Sequence, residues 1–330
     1  MRSALFAAAL ALAAPVAAIP PIMTPPPPAA PPALTVVIRV EGLSSALFER
    51  YRGGFTGGLA RAAGGTAFTL ADGSGPIFSA ERSLASLLKQ GRPGSRMLVV
   101  AGSDATLAAL GDPQADQRWL FRGSGFEQQT AAPAPPVAAA GNVTIAKAIN
   151  TAQQALVAPP SCAAPPFSPS DRRFVRPAGD VAAFVASPQM DGSTLAFAAA
   201  MAQDLGLGAT SRTADVLAIG LGATAAVVSA HGDQSQDLCL SLLSLDRDLG
   251  DYFAFLDRSN VDYAVVLAGS GTGTAPLLFW RKGWTAATAP GAAKAADLAP
   301  TLATMLGALT AAVAGGSCLG GLPGVVCPTR

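Results

Sequence analysis

The chain has 330 residues, with 22 basic and 21 acidic side chains, a formal charge of +1 and a single histidine. Neither sign gathers into a block, which argues against nucleic acid or an anionic membrane surface as a partner. High alanine, glycine and proline content leaves few bulky core side chains.

The first eighteen residues run from Arg2 through an apolar stretch, Ala4 to Ala14, to the small-residue end Val16-Ala17-Ala18. This pattern reads as a secretory signal peptide, and Pro15 interrupts the run well short of the roughly 20 apolar residues a spanning helix needs. Residues 19–33 are a Pro/Ala-rich spacer, expected to be extended because proline removes backbone donors. About 295 residues remain, enough for one large α/β domain or two small ones, and a single domain over residues 34–330 is the expectation. No later segment is long and apolar enough to span a bilayer.

Short β-branched or Leu-rich runs predict buried parallel strands at Thr35 to Val40, Met97 to Ala101, Asp215 to Ile219, Tyr263 to Ala268 and Leu277 to Trp280. Helical patterns fall at Ser44 to Arg52, Glu81 to Lys89, Val143 to Leu156 and Ser193 to Leu205, the last with Asp191 and Ser193 as candidate N-caps. The clearest helix is Gln236 to Arg258. Leu238, Leu242, Leu245, Leu249, Phe253 and Leu256 form its apolar stripe, and Asp246, Arg247, Asp248 and Asp251 are assigned to its polar face. Arg118 to Phe126 reads as a β-hairpin, and 131–140 and 159–169 as loops. The alternation predicts an α/β fold, a mostly parallel sheet with helices on both faces.

Four cysteines, Cys162, Cys239, Cys318 and Cys327, in an exported chain predict two disulfides with three possible connectivities. The closeness of Cys318 to Cys327 favours a local loop, leaving Cys162 with Cys239. Zinc binding by these thiols is the weaker alternative, because there is no paired Cys-x-x-Cys.

In an open α/β sheet the chemistry sits past the carboxyl ends of the strands. Those positions carry Glu41-Gly42, Gly102-Ser103-Asp104, the run Gly220 to Ala225, the run Gly269 to Gly273, and Arg281-Lys282. Gly220 to Ala225 fits G-x-G-x-x-A, a weak nucleotide signal with no acidic residue at the expected distance. A hydrolytic zinc pair needs several converging His, Asp or Glu side chains, and one imidazole, His231, cannot build it; it reads as an exposed loop residue near a helix start. No Gly-x-Ser-x-Gly elbow follows any strand. Glu41 stands where an acid is often functional, and can equally cap the following helix.

The segments Thr35 to Tyr51, Phe55 to Leu59, Ala115 to Trp119, Ala186 to Ala196, Leu245 to Gly250, Leu277 to Gly283 and Asp297 to Leu302 resemble, in order, the bacterial zinc-dependent alkaline phosphatases. The type is the phosphate-irrepressible, threonine-nucleophile one, related to the nucleotide pyrophosphatase/phosphodiesterases. The resemblance implies an alkaline-phosphatase-like core with shortened active-site insertions. Glu41 takes the place of the family's first aspartate ligand, and Thr66 to Gly75 is all that remains of the segment carrying the nucleophile. Ser103-Asp104-Ala105 replaces the positive phosphate clamp. Later Asp and His ligands fall on Ala225, Ser229, Ser270 and Gly271, and the chain passes from Gly273 to Pro276 without the family's insertion.

Two-metal phosphate hydrolysis uses the ions to activate the nucleophile and stabilise the leaving oxygen. The expectation is an exported, catalytically inactive phosphatase-like scaffold, with no zinc retained, that binds or regulates a protein partner. The residual site candidates are Glu41, Ser103, Thr224 and Ser270, Glu41 being the one remaining candidate for a metal. The alternative is a residual phosphoric- or sulfuric-ester hydrolase using Glu41 with His231 or Asp233 around one metal.

Overall fold

The run Leu34–Val40 forms β1, and every residue of it is buried, Thr35 and Arg39 included. In the computed structural model, which describes residues 30–163, 174–210, 212–286, 291–308 and 316–328, it lies at the centre of a nine-stranded sheet. The other strands are β2 (Thr66–Leu70), β3 (Met97–Ala101), β4 (Gln117–Phe121), β5 (Phe126–Gln128), β6 (Asp215–Leu221), β7 (Tyr263–Gly269), β8 (Ala275–Arg281) and β9 (Ala292–Ala293). Their spatial order is β5-β4-β3-β6-β1-β7-β8-β2-β9. The expected signal peptide and most of the spacer lie outside the described residues.

The central strands β4, β3, β6, β1 and β7 are mutually parallel, so the mostly parallel sheet holds. β8 departs from the expectation: it runs antiparallel to both β7 and β2. The short link between β7 and β8 is of hairpin length, whereas a parallel crossover takes a dozen residues or more. β2, with its alternating buried and exposed residues, was not anticipated. It is made from what the resemblance treats as the remnant of the nucleophile segment. The hairpin β4-β5 forms as expected.

The helices are α1 (Ser45–Tyr51), α2 (Gly58–Ala63), α3 (Leu84–Gly91), α4 (Asp104–Leu110), α5 (Pro136–Ile149), α6 (Pro160–Ala163), α7 (Val181–Val185), α8 (Pro188–Asp204), α9 (Ala223–His231), α10 (Gln236–Arg258) and α11 (Leu298–Met305). They cover both faces. Val36, Ile38 and Val40 pack with α1, α2, α5, α8 and α10, while Val37 packs with residues of α3 and α11 on the other side. β1 therefore feeds two cores through the period-two alternation of its side chains.

Several boundaries differ from the sequence reading, α3 for instance running Leu84–Gly91 rather than Glu81 to Lys89. α5 begins inside the expected loop 131–140, because Pro136 stands at the start of the helix, where its missing donor is not needed, and it ends at Ile149 rather than Leu156. α8 starts at Pro188 after Ser187, so Asp191 and Ser193 lie inside it and cap nothing there. The expected loop 159–169 contains α6, and its remainder falls outside the described residues.

α10 spans Gln236–Arg258 as expected, but Asp246 is not on its solvent face. This buried carboxylate accepts hydrogen bonds from the backbone N–H groups of Thr56, Gly57, Leu59 and Ala60 at 2.7, 2.7, 2.8 and 3.2 Å. It thus serves the start of α2, whose own first residues supply no capping side chain. Gly57 and Gly58 let that turn approach closely: a Cβ on Gly58 would meet Leu249 Cβ at 2.3 Å.

Two disulfides join Cys162 to Cys239 and Cys318 to Cys327. The first ties α6 to α10 across 77 residues of chain. No helix among the described residues is long and apolar enough to cross a membrane.

Candidate functional site

The register of the parallel strands places their ends level. Val40 pairs with Leu221 and with Gly269, and Ala101 pairs with Gly220. Residues just past β1, β3, β6 and β7 therefore emerge at one edge, where ligands of open α/β sheets bind.

Two of the four residual candidates meet directly. Ser103 Oγ donates to Glu41 Oε2 at 2.8 Å while accepting from Thr106 N–H at 3.1 Å, so the N-cap of α4 also orients the carboxylate. Ser270 joins them through the backbone: its Oγ accepts from Gly42 N–H at 3.2 Å, holding the turn after β1 against β7. Gly42 has φ +84°, and a Cβ there would lie 2.8 Å from the Ala225 backbone, so this turn requires glycine. Thr224 does not join the group. It is fully buried in α9 and its Oγ1 has no hydrogen-bond partner, while its neighbour Ala225 lines the cleft.

The cleft has a volume of about 690 Å³. Its walls are the turn after β1, the 71–74 turn after β2, α4 from Ala105 to Ala109, and the Ser270 to Gly273 turn. Arg39, which sequence reasoning passed over, lines it from β1 and is 3% exposed. Its Nη2 donates to the Gly73 carbonyl at 2.6 Å, and its buried Nη1 has no partner. Burial lowers the pKa of this guanidinium, while Glu41 and Asp72 favour its charged form. The available signal was a lone charge inside an apolar strand.

A second residue at the site is Asp191 of α8, expected only as a helix cap and 2% exposed. Its Oδ1 accepts from Ala223 N–H at 3.0 Å at the start of α9. Burial pushes this carboxyl up to about 7; the N–H groups of Ala223 and Gly222 oppose the shift, and Asp248 and Glu41 add to it. The protein's own carboxylate thereby occupies the amides that the Gly220 to Ala225 motif would present to a phosphate. Gly220 lies within β6 and serves packing, since a Cβ there would sit 2.4 Å from Thr106 Cβ.

His231 is exposed, but as the last residue of α9 rather than near a helix start; its ring packs edge-on to Phe174. Asp233 pairs with Arg50 at 3.7 Å. The eight-residue rise of α9 puts His231 roughly 12 Å from the Ala223 end at the cleft, so neither residue joins Glu41.

Zinc takes thiolate, imidazole and carboxylate ligands in close tetrahedral sets. Here all four cysteines are in disulfides, the histidine is remote, and Glu41 is bonded to a serine hydroxyl beside a buried guanidinium. Among the described residues no three His, Cys, Asp or Glu side chains stand close enough to share a metal ion. The described residues do not fit the family's zinc.

No protein-family model matches the chain. It is 32% identical over 200 residues to the alkaline phosphatase PhoK of a Sphingomonas species, a match covering 58% of this chain and 36% of that protein. It is 27% identical over 195 residues to the alkaline phosphatase PhoD of Zymomonas mobilis, covering 56% and 34% respectively. The chain thus spans about a third of the length of these relatives. The fold superposes on the crystal structure of wild-type alkaline phosphatase PafA with a TM-score of 0.58 at 16% identity, covering 72% of this chain and 62% of that one. Ordered matches in sequence and a shared sheet architecture agree: over more than half of its length the chain is similar to these alkaline phosphatases, and it has the fold of PafA.

Proposed function

We propose that this chain is an exported, non-hydrolytic member of the superfamily, whose cleft binds a ligand without turning it over. The observation that carries the reading is the Arg39, Glu41 and Ser103 cluster at the strand ends. A hydrogen-bonded carboxylate beside a buried guanidinium stands where two-metal chemistry would need a cation-binding set. The substitutions at Ala225, Ser229, Ser270 and Gly271 support the same reading. Export is supported by the two disulfides, which persist in oxidising compartments, and by the pattern of residues 1–18. A protein partner of the retained scaffold remains part of the proposal.

The test is hydrolysis of 4-nitrophenyl phosphate by the disulfide-intact protein with zinc supplied, together with elemental analysis. The expected result is no turnover above buffer and no near-stoichiometric zinc, manganese or calcium. Turnover that disappears in Glu41→Gln sinks the reading. Export is tested separately by N-terminal sequencing of periplasmic protein, which is expected to start near Ile19; recovery of the uncleaved chain in the cytoplasm overturns it.

A further inference from the structure

We propose that the cleft takes a small zwitterion of the amino-acid class, up to short-peptide size, with its acid group on Arg39 and its ammonium on Glu41 and Asp72. This deepens the non-hydrolytic reading above and rests on it.

The first observation is the orphaned cation. Arg39 is buried at the cleft wall, its Nη2 is committed to Gly73, and its Nη1 has no partner. Leaving a buried charged N–H unsatisfied is costly, which favours an oxyanion partner on the Arg39 side of the cleft. A carboxylate matches a guanidinium well, because both are planar.

The second observation is the charge around it. Glu41 and Asp72 both act electrostatically on Arg39, and both line the same cleft. One guanidinium against two carboxylates repels a doubly charged phosphate ester. A ligand carrying its own ammonium group beside its acid removes that repulsion and supplies donors to the carboxylates. Ser103 engages Glu41 Oε2 and Ala295 N–H engages Asp72 Oδ1, so each acid keeps a second oxygen as acceptor. The size agrees as well: 690 Å³ lies within the range of small-ligand sites, roughly 300–1,000 Å³.

The experiment uses the disulfide-intact protein in thermal-shift and calorimetric titrations. The probes are the twenty amino acids and their glycyl dipeptides. Inorganic phosphate, acetate and ethanolamine serve as single-charge or polyanion controls. The expected result is binding by at least one zwitterion, lost on N-acetylation or methyl esterification, and weakened tenfold or more in Arg39→Met, Glu41→Gln and Asp72→Asn. Asp72 is exposed, so its variant tests the idea even if Arg39→Met fails to fold. No zwitterion binding at 10 mM, equal binding of phosphate or acetate alone, or unchanged affinity in Asp72→Asn and Glu41→Gln overturns the proposal. Phosphate-ester turnover in the same preparation would sink the non-hydrolytic reading instead, so the two failures are separable.

Discussion

Asp191 offers the sharpest test of how the site edge is built. Its carboxyl is shifted from 3.8 to about 7 by burial, against the help of two backbone N–H groups. Because the folded-state pKa lies above the unfolded one, the native state holds the extra proton between these values. Stability from this group is therefore fully present below pH 3.8 and is lost as pH rises through about 7. At 1.36 kcal/mol per pH unit, the wild-type protein loses about 3 kcal/mol from this residue between pH 5 and pH 8. Asp191→Asn keeps an oxygen to accept from Ala223 N–H and cannot ionise. Urea unfolding followed by circular dichroism, disulfides intact, gives the stability of both proteins across that range. The variant is expected to match the wild type near pH 5 and to exceed it by about 3 kcal/mol at pH 8. Asp248, whose pKa burial also raises, is present in both proteins, so its own desolvation cancels in the difference and only its coupling to Asp191 remains. A difference that changes by less than about 1 kcal/mol across the range refutes the account of a desolvated carboxyl.

Asp246→Ala removes the acceptor of four backbone N–H groups and is expected to cost about 3–5 kcal/mol, with Asp246→Asn costing less, as read by chemical denaturation. Gly58→Ala forces a Cβ to within 2.3 Å of Leu249 and is expected to lower stability by about 1–3 kcal/mol or more, measured as a drop in the urea midpoint. Replacing Cys162 and Cys239 by serine frees a 77-residue separation and is expected to cost about 4 kcal/mol, against about 2–3 kcal/mol for Cys318 and Cys327, whose separation is 9. Melting curves of the two double variants should rank in that order.

Much of the core was legible because it rests on local pattern. The β-branched runs gave the five expected strands their places, and the leucine stripe of α10 marked a helix whose limits match the structure. The direction of β8 was fixed by the brevity of the link before it, a topological constraint that hydrophobicity alone does not express. β2 is hard to read from the sequence because residues 66–75 resemble only the stub of a longer segment, yet the strand pairs with β8 and its following turn walls the cleft.

At the site, sequence alone determined the inventory: one histidine, cysteines in even number, and an acid at the end of the first strand. It could not determine which of these meet. Glu41 and Ser103 are 62 residues apart and come within 2.8 Å only because β1 and β3 flank β6 in matching register. Arg39 and Asp191 were hidden for a related reason. A charge inside an apolar strand, or an acid near a helix start, has several ordinary explanations. Only tertiary packing decides whether its last donor or acceptor finds a partner, since desolvation and pairing arise between elements distant along the chain.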